Sequence, residues 1–332
     1  MKTPIVYDGD MGGDDLWAIA MLLAHRGRFD ILGIASVFGN VSQPFATQNV
    51  LNFLHWIDAE EIGVVQGADT PCDGMRPFGD DAYGSDGVGG VILPQSAKPI
   101  QKVDIADWYA KTLEKAGSPV TVFATGPITN LALFLEKHPD KAGKIEKIIY
   151  MGGGMEPPGN DGKPVLLPNG RIRSGNIMPY AEFNAYQDPK ALNIVLKSGV
   201  DIVFMAMDAS QNMVLTESRQ NRIKALDETY GPAFHRMLMV VADLDKEKFG
   251  LEGPSIHDPN VIIYALRPDL YKARPEPSLA FVEAPPESEH RGEAVRTGNG
   301  TARATWLTGV TDKDEIFEEM ILALSRTIAQ AG

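Results

Sequence analysis

The chain has 332 residues, 44% hydrophobic and 23% charged, which is enough to bury a large core as a soluble globular protein of one large or two smaller α/β domains. A formal net charge of -13 excludes a nucleic-acid partner, whose phosphates the average field of the protein would repel. A single cysteine, Cys72, rules out an intramolecular disulfide and suits a reducing cytoplasm; no stretch reaches the roughly 18 uninterrupted apolar residues of a membrane span, and the N-terminus lacks the apolar core of a signal peptide.

Taken in chain order, short β-rich runs alternate with helical patterns. PIVYD reads as a buried strand, DDLWAIAMLLAHR as a helix and FDILGIASVFG as a second strand, which together form a βαβ unit. Next come the helix QPFATQNVLNFLHWID, the strand IGVVQG, the helix DIADWYAKTLEKAG, the strand PVTVFATG and the helix TNLALFLEKHP. KIEKIIYMGG, the helix DPKALNIVLKSG and the strand VDIVFMAMD continue the alternation, and HDPNVIIYALRP starts a further helix. PSLAFVEA and TARATWLTGV read as strands before a final amphipathic helix, DKDEIFEEMILALSRTIAQ. This pattern predicts a mostly parallel, doubly wound, Rossmann-like sheet flanked by helices, in one domain over 1–332 with no linker or internal repeat. Trp17, Trp56, Trp108 and Trp306 all fall in helix or strand patterns and are expected in the core. Two stretches interrupt the alternation: 156–180, rich in Gly, Pro and Asn, and 241–256, a variable loop or helix that is charged and Gly-punctuated over 244–256.

Open parallel sheets bind ligands at the carboxyl ends of their strands. Asp8 and Asp10, Gly39 and Asn40, Thr125 and Gly126, Met151 to Gly154, and Asp208 all stand where a strand pattern stops. The densest group is YDGDMGGDDLWA, from Tyr7 to Ala18, with Asp8, Asp10, Asp14 and Asp15 around Gly12 and Gly13. A helix N-terminus accounts for Asp14 and Asp15, with Asp10 as the cap. It does not account for Asp8 and Asp10, which are expected to point into the cleft. A hard divalent cation such as Ca²⁺ or Mg²⁺, which takes oxygen ligands, explains all four together. An EF-hand loop fails, because it would need a ligand at Gly12 and a glutamate at Ile19. A metal-dependent phosphatase of the Asp-x-Asp type fits less well, since Gly12 stands where that family has a small hydroxyl residue and no basic residues mark the strand ends.

The run Asp-x-Asp-x-Gly-x-Asp-Asp after the first strand resembles the signature of the calcium-dependent nucleoside hydrolases, the inosine-uridine-preferring family, with Met11 where that family usually has proline. Further matches follow in the family's order: Gly39-Asn40, TGPITNLA from Thr125, MGGG from Met151, AEFN from Ala181 with Asp188-Pro189, and His257-Asp258-Pro259. Together they span essentially the whole domain.

The resemblance implies hydrolysis of the N-glycosidic bond of a ribonucleoside to ribose and free base. It implies Ca²⁺ held by Asp10, Asp15, the main-chain carbonyl of Thr125 and Asp258. Asp10 would then be the general base toward a calcium-bound water, and the transition state would be oxocarbenium-like, favoured by the surrounding negative charge. Asp14, Asn40 and Asn184 would hold the ribose hydroxyls, and AEFN would bring Glu182 and Phe183 to the same pocket, with Glu182 and Asn176 on the 5′ side, while Asp8 would buttress the loop. Asn176, six residues before Glu182, is preferred to Asn160, with 156–175 read as an insertion. His257 is the candidate acid for the leaving base; taken alone it reads as a structural histidine before a helix. The same resemblance implies a homodimer or homotetramer.

Base preference is open. The segment near 79–90 matches the family's flap, yet Asp81 and Tyr83 stand where histidines are common. Val241 and Asp245 replace a tyrosine pair, leaving Phe249 as a candidate for stacking on the base. A non-catalytic nucleoside- or sugar-binding homologue is the alternative outside enzymes.

Overall fold

Short apolar runs separated by amphipathic helices build a nine-stranded sheet in the computed structural model, which describes residues 2–75, 84–298 and 300–331. The strands are β1 (Thr3–Gly9), β2 (Phe29–Ser36), β3 (Val64–Gln66), β4 (Gln101–Lys102), β5 (Val120–Ala124), β6 (Ile145–Met151), β7 (Ile202–Met205), β8 (Tyr271–Pro275), β9 (Leu279–Phe281), β10 (Ala294–Arg296) and β11 (Ala304–Val310). The helices are α1 (Gly13–Ala24), α2 (Gln43–Trp56), α3 (Ile105–Lys115), α4 (Thr129–Lys137), α5 (Phe183–Gln187), α6 (Pro189–Lys197), α7 (Met207–Ser210), α8 (Glu217–Lys224), α9 (Tyr230–Leu238), α10 (Ala242–Phe249), α11 (Pro259–Leu266) and α12 (Lys313–Ala331).

Across the sheet the order is β4-β3-β2-β1-β5-β6-β7-β11-β8. All neighbours pair in parallel except β8, which runs antiparallel along β11. The central strands are buried along their whole length, VTVFA in β5 and IVFM in β7, because helices cover both faces. Alternation along β1 sends Tyr7 into the core under α1, α11 and α12, and Val6 into the opposite core under α3, α4 and α6. Trp17 and Trp306 are fully buried, and Trp56 and Trp108 pack against the cores.

β8 and the helices α8 and α9 are not legible as elements in the sequence. YKARP is buried only at Tyr271, at a sheet edge, and ESRQNRIK carries almost no apolar residue. The stretch 156–180 forms two tight turns, bridged antiparallel between Pro158 and Pro164 and between Leu166 and Ile172. Half of 241–256 is α10, ended by Gly250 at φ 70°, a left-handed stop that glycine adopts without steric cost. Asp81 and Tyr83 lie outside the described residues. The rest of that segment is fastened at Asp86, whose carbonyl accepts from Asn49 Nδ2 at 2.8 Å, and at Gly89, whose carbonyl accepts from Arg236 Nε at 2.7 Å.

The position of the site follows from this order. The chain leaves β1 toward β2 on one side and returns at β5 on the other, so the two neighbours of β1 diverge at their carboxyl ends and open a crevice there.

Candidate active site

Asp10 emerges directly after β1, and the turn Asp10–Gly13 feeds α1 at that crevice. Gly12 is the N-cap of α1, and its N–H donates to Asp15 Oδ2 at 2.8 Å, so Asp15 satisfies a donor that the helix start leaves free. The other oxygen of Asp15 accepts from Tyr7 OH at 3.0 Å and Thr125 Oγ1 at 2.6 Å, tying the end of β1 to the end of β5. Asp10 accepts from the backbone N–H of Asn40 at 2.8 Å and from its side-chain amide at 2.9 Å. Asp14 reaches across to the loop before α11, where Asp258 N donates to its Oδ2 at 3.4 Å.

The carboxyl groups of Asp10 and Asp258 each come within hydrogen-bonding contact of Asp15. Burial first, and then mutual repulsion, pushes Asp10 and Asp258 well above the ordinary carboxylate range; Asp15 is pushed up to about 7 and Asp14 also rises. Among the described residues no Lys or Arg pairs with any of them. Asp14, Asp15 and Asp258 each offer an oxygen within 4.8 Å of the others. A buried, all-oxygen cluster without its own counter-charge fits a hard divalent cation.

Asp10, Asp14, Asn40, Thr125, Asn176, Glu182, Phe183, Asn184, His257 and Asp258 line one narrow cleft, joined by Met151; Asp15 stands just behind it. Asn176 Oδ1 accepts from Phe183 N at 2.9 Å, whereas Asn160 lies on the wall of a separate cavity. Glu182 is the N-cap of α5: it accepts from the N–H groups of Asn184, Ala185 and Gly153, and burial raises it to about 6. Asn184 Nδ2 donates to the carbonyls of Thr125 at 3.0 Å and Met151 at 3.1 Å, while its Oδ1 is buried with no partner among the described residues. An unpaired buried acceptor is costly unless a donor entering the cleft meets it.

Two strand-end acids do not point into the cleft. Asp8 shares the face of Val6, so it turns toward α3 and α4, where Tyr109 OH and Asn130 Nδ2 donate to it at 2.5 and 3.0 Å. It braces β1 from behind. Asp208 accepts from Met155 N, Glu156 N and Trp306 Nε1, anchoring the start of the 156–180 stretch.

His257 lines the cleft, and burial pushes its imidazole down to about 4, so it is neutral in the free protein at pH 7. Its Nδ1 lies 2.8 Å from Ser210 Oγ, at the end of α7. The sequence carried no local signal for Ser210, which is 47 residues from His257. Val241, Asp245 and Phe249 are buried but do not line the cleft; Asp245 accepts from Ser255 N at 2.7 Å, and Phe249 joins the apolar core.

A larger cavity of about 640 Å³ lies between 158–162 and the helices α8 and α12, away from the acidic cluster. Its arginines are already neutralised, Arg219 by Asp314 and Arg222 by Glu318, and it brings no catalytic constellation together.

The profile of the family described as inosine-uridine preferring nucleoside hydrolase matches residues 5–318. A pyrimidine-specific ribonucleoside hydrolase, RihA, of Escherichia coli O139:H28 is 33% identical over 272 residues, which is 82% of each chain. An uncharacterized protein of Schizosaccharomyces pombe is 31% identical, covering 97% of this chain and 99% of its own. A purine-preferring ribonucleoside hydrolase from Gardnerella vaginalis has the same fold at TM-score 0.80 and 23% identity, over 99% of both chains. A plant nucleoside hydrolase aligns at TM-score 0.82 and 23% identity, over 98% of this chain and 99% of its own. Fold, strand-end acids and family profile agree along the chain, and it belongs to the inosine-uridine preferring nucleoside hydrolase family.

Proposed function

We propose that this enzyme hydrolyses the N-glycosidic bond of ribonucleosides to ribose and free base, with Ca²⁺ as its metal. The observation that carries the reading is the buried set Asp10, Asp15 and Asp258, packed with no basic partner among the described residues beside a cleft where Asn184 Oδ1 likewise has no partner among them. Oxygens of Asp10, Asp15, Asp258 and the Thr125 carbonyl would hold the ion. Calcium bound there supplies positive charge that makes a neighbouring water more acidic.

The remaining work falls to the chain's own side chains. Asp10 accepts the proton of the attacking water, with its carboxylate held by both donors of Asn40. Asp14, Asn40 and Asn184 bind ribose hydroxyls, and Asn176, Glu182 and Phe183 form the 5′ side of the pocket. Several acids near the anomeric carbon favour the oxocarbenium-like transition state over the neutral substrate. His257 faces the leaving base as a neutral imidazole that donates a hydrogen bond to it. The reading includes a cytoplasmic homodimer or homotetramer, to be checked by light scattering.

Among the described residues no Lys or Arg lines the cleft, which disfavours a phosphatase. The test is ribose release from uridine, cytidine, inosine and adenosine, with and without a calcium chelator. Uridine and cytidine head the series because the Escherichia coli relative is named pyrimidine-specific. Chelator-sensitive release from at least one of the four is the expected result. Calcium binding without release from any of them would make the chain a non-catalytic nucleoside- or sugar-binding homologue.

A further inference from the structure

Ser210 and His257 meet behind the cleft wall, both buried, with Oγ and Nδ1 2.8 Å apart. A neutral imidazole carries one proton, on Nδ1 or on Nε2, and the hydrogen-bond partner of one nitrogen decides what the other can do. The hydroxyl of Ser210 has one proton and two places to put it. It reaches the Ala206 carbonyl one turn back only at 3.3 Å, a long bond to an oxygen that already accepts from Ala209 N at 2.9 Å and Ser210 N at 3.0 Å. His257 Nδ1 is nearer and has no other partner among the described residues. The hydroxyl therefore donates to Nδ1. That leaves Nδ1 unprotonated and the ring proton on Nε2.

We propose that Ser210 is a positioning residue: its hydroxyl fixes His257 as the Nε2–H tautomer and so turns an N–H donor, rather than a lone pair, toward the departing base. The proposal rests on the reading that His257 faces the leaving group. It adds no covalent step, since the histidine holds its proton and lends a hydrogen bond to the nitrogen or oxygen of the base on which charge develops. α7 supplies the geometry. It follows β7 directly, and its first residue donates from Met207 N to Gly153 O at 2.9 Å, which locks the helix to the end of β6.

The experiment compares wild type, S210A, S210T and H257A on uridine and on p-nitrophenyl β-D-ribofuranoside, whose nitrophenolate departs without help from a donor. S210A is expected to lower kcat on uridine roughly tenfold to a hundredfold more than kcat on the nitrophenyl riboside, a part of the ~10²- to 10⁴-fold that a positioned proton donor contributes. S210T, which keeps the hydroxyl, is expected to recover most of the loss. Equal losses on both substrates, as a merely structural serine would give, or no loss on either, would overturn the proposal. H257A separates the two readings: a leaving-group split in H257A but not in S210A removes Ser210 alone, and no split in H257A removes the role given to His257. In that case, or if S210A does not fold, the ¹⁵N spectrum of His257 in the wild-type protein decides, with an unprotonated Nδ1 supporting the tautomer and a protonated Nδ1 overturning it.

Discussion

Asn40 clamps both oxygens of Asp10, its backbone N–H on Oδ2 at 2.8 Å and its side-chain amide on Oδ1 at 2.9 Å. The proposed base is thus oriented by the loop after β2 and not by its own turn. The approach is close enough that a Cβ on the neighbouring Gly39 would stand 2.0 Å from Asp10 Oδ2. Asn40→Ala removes the donor on Oδ1 and leaves the carboxylate on a single backbone N–H about which it can turn, and Gly39→Ala pushes it aside. Each is expected to cost roughly a hundredfold in kcat on the preferred ribonucleoside, since misplacing a reacting group by about 1 Å costs on that order. Wild-type kcat in both variants would remove the clamp from the mechanism. Asp10→Ala, which deletes the base, is expected to abolish turnover while the fold survives, as circular dichroism would show.

Three acids that repel one another make the metal-free protein fragile where they ionise, and a bound cation reverses the sign of that effect. Calcium added in excess over a chelator is expected to raise the melting temperature at pH 7.5, with about 2.7 kcal/mol gained at a concentration a hundred times Kd. Asp258→Asn removes one of the repelling charges near Asp15. It is expected to melt higher than wild type in chelator and to lose most of the response to calcium. A calcium response equal to that of wild type would take Asp258 out of the metal set.

What could be read along the chain was what lies close in sequence or at a fixed point of the fold. The acids after β1, the Asn40 and Thr125 turns and the His257-Asp258 pair all sit at strand or helix ends, where local pattern locates them. Which way a strand-end side chain faces is not local information. The strand-end position alone sends both Asp8 and Asp10 toward the cleft, yet Asp8 follows the pleat of β1 to Tyr109 and Asn130 and braces the turn, while Asp10 stands beyond the strand. Ser210 was invisible for a related reason, since its meaning comes from a residue on another element. The edge strand β8 and the polar helix α8 lack the apolar periodicity by which elements are found.

Asp245 gives a pH test on a group that does not line the cleft. Burial raises its carboxyl to about 7, and the charge of Asp14 adds to the rise, while Ser255 N–H opposes it. A raised native pKa means that the folded protein holds this proton more tightly than the unfolded chain between about pH 4 and 7. The contribution of Asp245 is therefore fully present below about pH 4 and is lost as pH climbs through 7, up to ~4 kcal/mol in all. Asp245→Asn keeps an acceptor for Ser255 N and cannot ionise. In chelator it is expected to melt above wild type at pH 8, with the advantage shrinking toward pH 4. An advantage that grows on acidification would show that the carboxylate is stabilised by its surroundings.

Met11 stands in the middle of the acidic turn at φ 59°, with its side chain fully buried. Proline, which usually occupies the matching position in the family that this chain resembles, is held near φ -65° and cannot take that conformation. The turn between Asp10 and Gly12 thus follows a backbone path that proline forbids, at a cost of ~1–2 kcal/mol for a left-handed non-glycine residue. Burial of the methionine side chain, worth roughly 1.5–3 kcal/mol, offsets it. Two substitutions separate these effects. Met11→Gly relieves the backbone but empties the pocket, and is expected to destabilise by about 2 kcal/mol with calcium affinity little changed. Met11→Pro is expected to lose about 3 kcal/mol or more and to weaken calcium binding as well, because forcing φ negative moves Asp10 relative to Asp15. A Met11→Pro protein as stable as wild type and as tight for calcium would mean that the left-handed turn is not what sets the spacing of the acids.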